Sequence, residues 1–213
     1  MHVAPSDELW MEKGGVLALA NIRGGGEYGP AWHQAALKTN RHKSYEDFIA
    51  IAEQLISTKI TSPGKLGIMG GSGGGLLVGA VFTMRPDLFN AVVSQVPLLD
   101  MLRYHKLLAG ASWMGEYGDP DDPIEGAYLK KYSPYHSLSA DTKYPMPMFT
   151  TSTKDDRVHP AHARKMVARM MEQGHPVMYY ENIEGGHAAG ANLKQYATRA
   201  AIEFTYLHRM LMD

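Results

Sequence analysis

The chain has 213 residues, 45% of them hydrophobic, with 21 Lys and Arg set against 22 Asp and Glu. That is enough to bury one sizeable core and too little for two independent ones, so a single domain over 1–213 is expected. The near balance of charge removes an electrostatic footprint for nucleic acid or an anionic membrane, and the absence of cysteine removes disulfide scaffolds, thiol nucleophiles and thiolate metal sites together.

No apolar run approaches the ~20 residues that span a bilayer, and the N-terminus carries no basic-then-apolar leader pattern. The expected partner is a small, mostly neutral substrate, with neither nucleic acid nor membrane involved. A soluble, cysteine-free chain suits the cytoplasm and the periplasm equally, so localisation stays open.

The elements can be taken in chain order. Val16 to Ile22 (VLALANI) is an apolar run between Gly14-Gly15 and Gly24-Gly25-Gly26, which reads as a buried strand entering a loop. Ser44 precedes a stretch, Tyr45 to Ile56, in which Phe48, Ile49, Ala52, Leu55 and Ile56 recur at helical spacing, with Ser44 and Asp47 resembling a capping box. Thr61-Ser62-Pro63-Gly64 turns the chain into a strand at Leu66 to Met69, followed by GGSGGG at 70–75 and an apolar helix from Leu76 to Met84.

Further strands are expected at Ala91 to Val96, Met148 to Ser152 and Val177 to Tyr180, and further helices at Ala161 to Gln173 and Leu193 to Leu211. Strands alternating with helices imply a mostly parallel sheet covered on both faces. The region from about 100 to 145, rich in Tyr, Pro and Gly, is expected to form loops and short helices above the sheet.

In Gly70-Gly71-Ser72-Gly73-Gly74 a serine stands at the centre of G-x-S-x-G, between an expected strand and an expected helix. Flanking glycines let the backbone turn sharply without Cβ clashes, so that the serine oxygen projects at the top of the sheet. The Gly73 amide and the helix N-terminus then face negative charge developing on a substrate. A phosphate-binding loop is the rival reading of such glycines, and the missing G-K-[ST] ending argues against it. The context is that of an α/β-hydrolase fold.

A serine hydroxyl is a weak nucleophile until a base takes its proton, so a histidine and a carboxylate are required behind it. On this fold they follow in the order Ser, Asp, His. Asp155 and Asp156 follow the strand at Met148 to Ser152, and His187, in GGHAAG, follows the strand at Val177 to Tyr180. Both lie in loops after strands, where sites collect in open parallel sheets. His33, His42 and His208 lie in or beside helical stretches, and His159 and His162 open a helix, where packing or solvation is the usual role of a histidine. Pattern alone leaves Asp155 and Asp156 equal.

The sequence resembles the prolyl oligopeptidase family of serine peptidases over nearly its whole length. The resemblance is carried by ANIRGGGEYG at 20–29, GGSGGG at 70–75, RPDLF at 85–89, the Trp113 and Tyr117 region, KYSPYH at 131–136, DDRVHP at 155–160 and GGHAAG at 185–190. It implies a triad of Ser72, Asp155 and His187, the first aspartate of D-D-R being the triad member. It also implies that Arg157 binds a substrate carbonyl, that Trp113 stacks on a proline ring with Tyr117 beside it, and that no cofactor or metal is needed. Read from the residues alone, Arg157 is equally a surface ion-pair partner and Trp113 a core aromatic.

Two departures from the family pattern matter. The residue after the nucleophile is often asparagine there and is Gly73 here, which leaves the backbone donor in place. The resemblance also implies an upstream β-propeller, first hydrolase strands and an oxyanion tyrosine in a Tyr-Gly-Gly-Phe segment, and this sequence begins past that point. Tyr28, in GGGEYG, does not match that motif. Loss of one oxyanion donor costs about 3 to 4 kcal/mol, so weak activity is expected, better on activated esters than on peptides.

The expected function is therefore acyl transfer to water on a small peptide or ester. A hydrolase-like binding module without turnover is the alternative. A sheet lacking its first strands exposes an edge, which implies a homo-oligomer, most simply a twofold dimer using the segment Met1 to Lys13 or that edge. The alternative is that this polar, charged segment folds back over its own edge and the chain stays monomeric.

Overall fold

The computed structural model describes residues 4–188 and 190–213. Among these, β1 (Gly67–Gly71), β2 (Ala91–Gln95), β3 (Pro147–Ser152) and β4 (Met178–Asn182) form one sheet in the order β1-β2-β3-β4, every neighbouring pair parallel. The register sets Ile68 beside Val92, Val93 beside Met148 and Phe149 beside Tyr179.

Side-chain alternation divides the core between the two faces of the sheet. Ile68, Val92 and Phe149 belong to the larger cluster, with α3 (His42–Ser57), α4 (Gly73–Met84) and α8 (Ala161–Glu172). Ala91, Val93 and Met148 point the other way, onto Tyr206, Leu207 and Leu211 of α9 (Leu193–Leu211). α4 is apolar on every side because it lies between the sheet and α3, and its Leu76, Val78, Val81 and Phe82 are at most 1% exposed. Each such side chain contributes about 1.5 to 3 kcal/mol through burial.

The region from 100 to 145 forms a layer of short elements as expected: α5 (Met114–Tyr117), α6 (Pro123–Tyr132) and α7 (Pro134–Ser137), preceded by 3₁₀ turns. α6 starts where it does because the Asp122 carboxylate accepts the amides of Ile124 and Glu125, while Pro123 at the first helical position needs no partner for an amide it lacks.

The strands and helices expected from residue 61 onward form within a few residues of their expected limits. Two local expectations fail. Val16 to Ile22 is not a strand: it has no regular structure between α1 (Pro5–Glu12) and α2 (Pro30–Gln34), and Val16 and Leu19 are 78% and 73% exposed. A strand exists through its ladder, and this segment makes none, although β1 is paired on one side only.

Ser44 and Asp47 do not form a capping box either, because α3 already begins at His42. Ser44 Oγ instead donates to the Arg23 carbonyl at 2.6 Å, and the Asp47 carboxylate accepts the amide and Nε of Arg23 at 3.0 and 2.8 Å. Both side chains thereby tether the glycine loop at 24–26 to α3. The described part of the N-terminal segment folds back on its own chain, with Trp10 of α1 set edge-on against Phe204 of α9 at 6.0 Å.

His162 of α8 holds the chain as it leaves β2. Its buried Nδ1 accepts the amides of Leu99 and Asp100 at 3.3 and 3.0 Å, so the ring must be neutral. Burial, opposed by nearby Asp100, takes its pKa from 6.5 down to about 4. The unfolded chain therefore binds a proton that the folded chain refuses as pH falls from 6.5 through about 4, and stability declines over that window by up to about 3 kcal/mol. Thermal melts are expected to show this decline in the wild type and a flatter profile over the same range in His162→Gln.

Candidate active site

Ser72 joins β1 to α4 with φ 56° and ψ −115°, a conformation that side chains avoid unless the surroundings impose it. The surroundings here are two close approaches. A Cβ at Gly70 would stand 2.4 Å from the Gly74 carbonyl oxygen, and one at Gly75 would stand 2.9 Å from the Gln95 carbonyl oxygen, so the turn folds tightly over its own strand and against β2 only with glycine at both places. The Ser72 amide donates to Gln95 O at 2.8 Å, and the Ser72 carbonyl accepts Leu76 N–H at 3.1 Å as the first turn of α4 closes. The Gly73 amide is thus one of the free donors at a helix N-terminus.

Asp155 follows β3 and is buried, with its side chain wholly shielded from solvent. Its Oδ1 accepts the amides of Arg157 and Val158, both at 2.9 Å, and His187 Nδ1 lies 3.0 Å from Oδ1 and 2.8 Å from Oδ2. The carboxylate fixes the tautomer: Nδ1 donates, and Nε2 is left with a free lone pair. Asp156 is exposed, so the choice that pattern left open falls on Asp155 as the partner of His187. The histidine loop is itself tied to β3 by Ser152 Oγ, which donates to the Gly185 carbonyl.

Ser72 opens on a cavity of about 490 Å³ that Gly73, Leu98, Ser112, Trp113, Glu116, Tyr117 and Arg157 also line. Trp113, Tyr117 and Arg157, the residues expected from the sequence to meet substrate, therefore line the same cavity as the serine. Tyr117 is 8% exposed and its hydroxyl would be 3.0 Å from a Cβ on Gly73, so a side chain at 73 would push on the tyrosine.

The His187–Asp155 link is closed in this structure, whereas Ser72 Oγ makes no hydrogen bond among the described residues. The two halves of the site meet through the loop 155–157, which supplies Asp155 to one and Arg157 to the other.

Sequence reasoning missed three residues. Glu116 lines the cavity, Arg41 bonds it from below, and His33 Nε2 lies 2.9 Å from its other oxygen. Arg41 and Glu116 are 75 positions apart, and no local pattern couples them. One other group of ligand type exists among the described residues: His105, Asp119 and Asp121 carry donor atoms within 4.8 Å of one another, but the Lys106 ammonium already sits 3.1 Å from Asp121.

A parallel sheet with helices on both faces and a serine on the strand-to-helix turn defines an α/β-hydrolase domain. The chain matches the prolyl oligopeptidase family over residues 2–213 and belongs to that family of serine peptidases. It is 62% identical over 206 residues to the uncharacterized peptidase y4nA of Sinorhizobium fredii, covering 97% of this chain and 28% of that one. It is 41% identical over 203 residues to a prolyl endopeptidase of Dictyostelium discoideum, covering 92% and 27%. The structure of a post-proline cleaving enzyme from Rickettsia typhi superposes with a TM-score of 0.93 at 44% identity, over 97% of this chain and 30% of that one. The chain thus spans under a third of the length of these relatives.

Proposed function

We propose that this domain is a serine hydrolase in which Ser72 attacks a carbonyl carbon, His187 acts as general base and then general acid, and Asp155 orients the histidine. The observation that carries the reading is the 2.8 Å bond from His187 Nδ1 to a buried Asp155, since it leaves Nε2 ready to accept the serine proton. In the first step the Ser72 proton passes to Nε2 as the Oγ–C bond forms, and the oxyanion is received by the Gly73 amide. Collapse expels the leaving amine or alcohol with the proton from His187, and water repeats the sequence to release the acid.

The substrate on this reading is a peptide cleaved after proline, with Trp113 against the ring and Arg157 on a substrate carbonyl; similarity to a prolyl endopeptidase and to a post-proline cleaving enzyme, and the presence of both residues in the cavity wall, support it. Activated esters are the second substrate class, because their leaving groups need less help from an oxyanion site. The paired β1 has an open edge among the described residues, which supports a twofold dimer as the assembled form.

Ser72→Ala is expected to remove turnover of both a proline-containing peptide and a short-chain nitrophenyl ester with its melting temperature little changed, and His187→Ala to be nearly as damaging to turnover while also lowering the melting temperature, because it leaves the buried Asp155 carboxylate without its partner. Rapid labelling of the wild type by a fluorophosphonate tests the nucleophile directly; a folded protein that is not labelled is a binding module instead. Trp113→Ala is expected to reduce peptide hydrolysis by about tenfold more than ester hydrolysis, because only the peptide offers a ring to stack. Equal losses would make Trp113 a packing residue. Sedimentation at micromolar concentration is expected to give the dimer mass, and a single monomeric species would end the assembly proposal.

A further inference from the structure

Part of the cavity wall is α5, a helix of four residues with no side-chain cap. A helix of one turn has no stability of its own, so something outside it must hold Glu116 and Tyr117 in place. Among the described residues a buried arginine does this. Arg41 enters from the start of α3, is 9% exposed, and does not itself line the cavity. Its Nη2 donates to Glu116 Oε1, and its guanidinium carbon lies 4.7 Å from the centre of the Tyr117 ring. Tyr104 meets the same ring edge-on at 5.8 Å, and the second oxygen of Glu116 is taken by His33.

We propose that Arg41 is a positioning residue for the substrate cavity: bound to Glu116 and stacked on Tyr117, it fixes the wall that faces Ser72 and so sets the affinity for the residue that fills the cavity. This rests on the hydrolase reading above. A guanidinium suits this double contact better than an ammonium, since it offers several donors to a carboxylate while lying over an aromatic ring. The ion pair alone would say little, because a buried pair is weak evidence for stability. Its placement is what matters: both residues it holds face the cavity, and the Tyr117 hydroxyl reaches over Gly73, beside the nucleophile.

The test measures KM and kcat on a proline-containing peptide with a chromogenic leaving group, beside a short-chain nitrophenyl ester. Arg41→Met is expected to raise KM for the peptide about tenfold with kcat changed less than about threefold, and to leave the ester, which does not fill the cavity, much less affected. Arg41→Lys is expected to recover part of the loss, keeping the charge on Glu116 without the stack. An unchanged peptide KM, or equal losses on peptide and ester, would overturn the proposal.

If Arg41→Met does not fold, as read by a thermal melt, Glu116→Gln takes its place. It keeps the shape and removes the charge, so peptide KM should rise about threefold, and no rise counts against the proposal. Fluorophosphonate labelling of the wild type separates this idea from its premise. Should Ser72 fail to react, near-ultraviolet circular dichroism of the aromatic wall still decides, with a changed spectrum expected in Arg41→Met, or in Glu116→Gln if the former does not fold, and an unchanged one overturning the assignment.

Discussion

The structure turns on one strained residue. Ser72 occupies a positive φ that costs of order 1 to 3 kcal/mol, and it is held there by contacts that exist only because β1 and β2 are parallel neighbours with α4 folded tightly behind the turn. Its amide is bonded to the Gln95 carbonyl, which is the end of the β2 ladder, and its carbonyl starts the helix. A serine at that point cannot withdraw into either element, so its side chain projects from the end of the sheet into the cavity. The glycines at 70 and 75 are required for packing at this turn, and Gly73, exposed at the start of α4, presents an amide where an anion could be received.

The opposite face of the sheet reinforces the same point. Glu203, buried on α9, accepts from Gln95 Nε2 at 2.6 Å and from Thr150 Oγ1 at 2.8 Å, joining the ends of β2 and β3 from below. Burial raises its pKa, with Arg199 and the two hydrogen bonds working the other way. The residue whose carbonyl fixes the serine is thus itself fixed from α9. Asp155 plays the matching part after β3: one carboxylate accepts two amides of its own loop and the histidine of the next, so the shape of the loop and the orientation of the His187 ring are set by a single buried charge.

The strands from β1 onward were legible because each is a short run rich in apolar residues, bounded by Gly, Pro or polar turns, and because the central two, β2 and β3, are buried on both faces. Val16 to Ile22 has the same composition and fails as a strand, since composition reports a preference for burial while the ladder requires a neighbour at the right distance. Ser44 and Asp47 were misread for a related reason. Their spacing fits a cap, but Arg23, more than 20 positions earlier, outcompetes the helix terminus for both side chains.

The sequence by itself determined the glycine turn around Ser72, the order of the candidate triad and the family, because these depend on residue types at fixed local spacing: glycines around Ser72, and a carboxylate and a histidine each just past a strand. What it could not determine is any relation between distant loops. That Asp155 rather than Asp156 reaches His187, that Arg157 lines the same cavity as Ser72 while its amide bonds the Asp155 carboxylate, and that Arg41 bonds Glu116 and lies over Tyr117 were decided by the sheet order and by which side chains are cut off from water. A hydrogen bond between residues far apart in the chain carries no periodic signature; only the packed fold brings its two ends together and makes leaving either one unpaired costly.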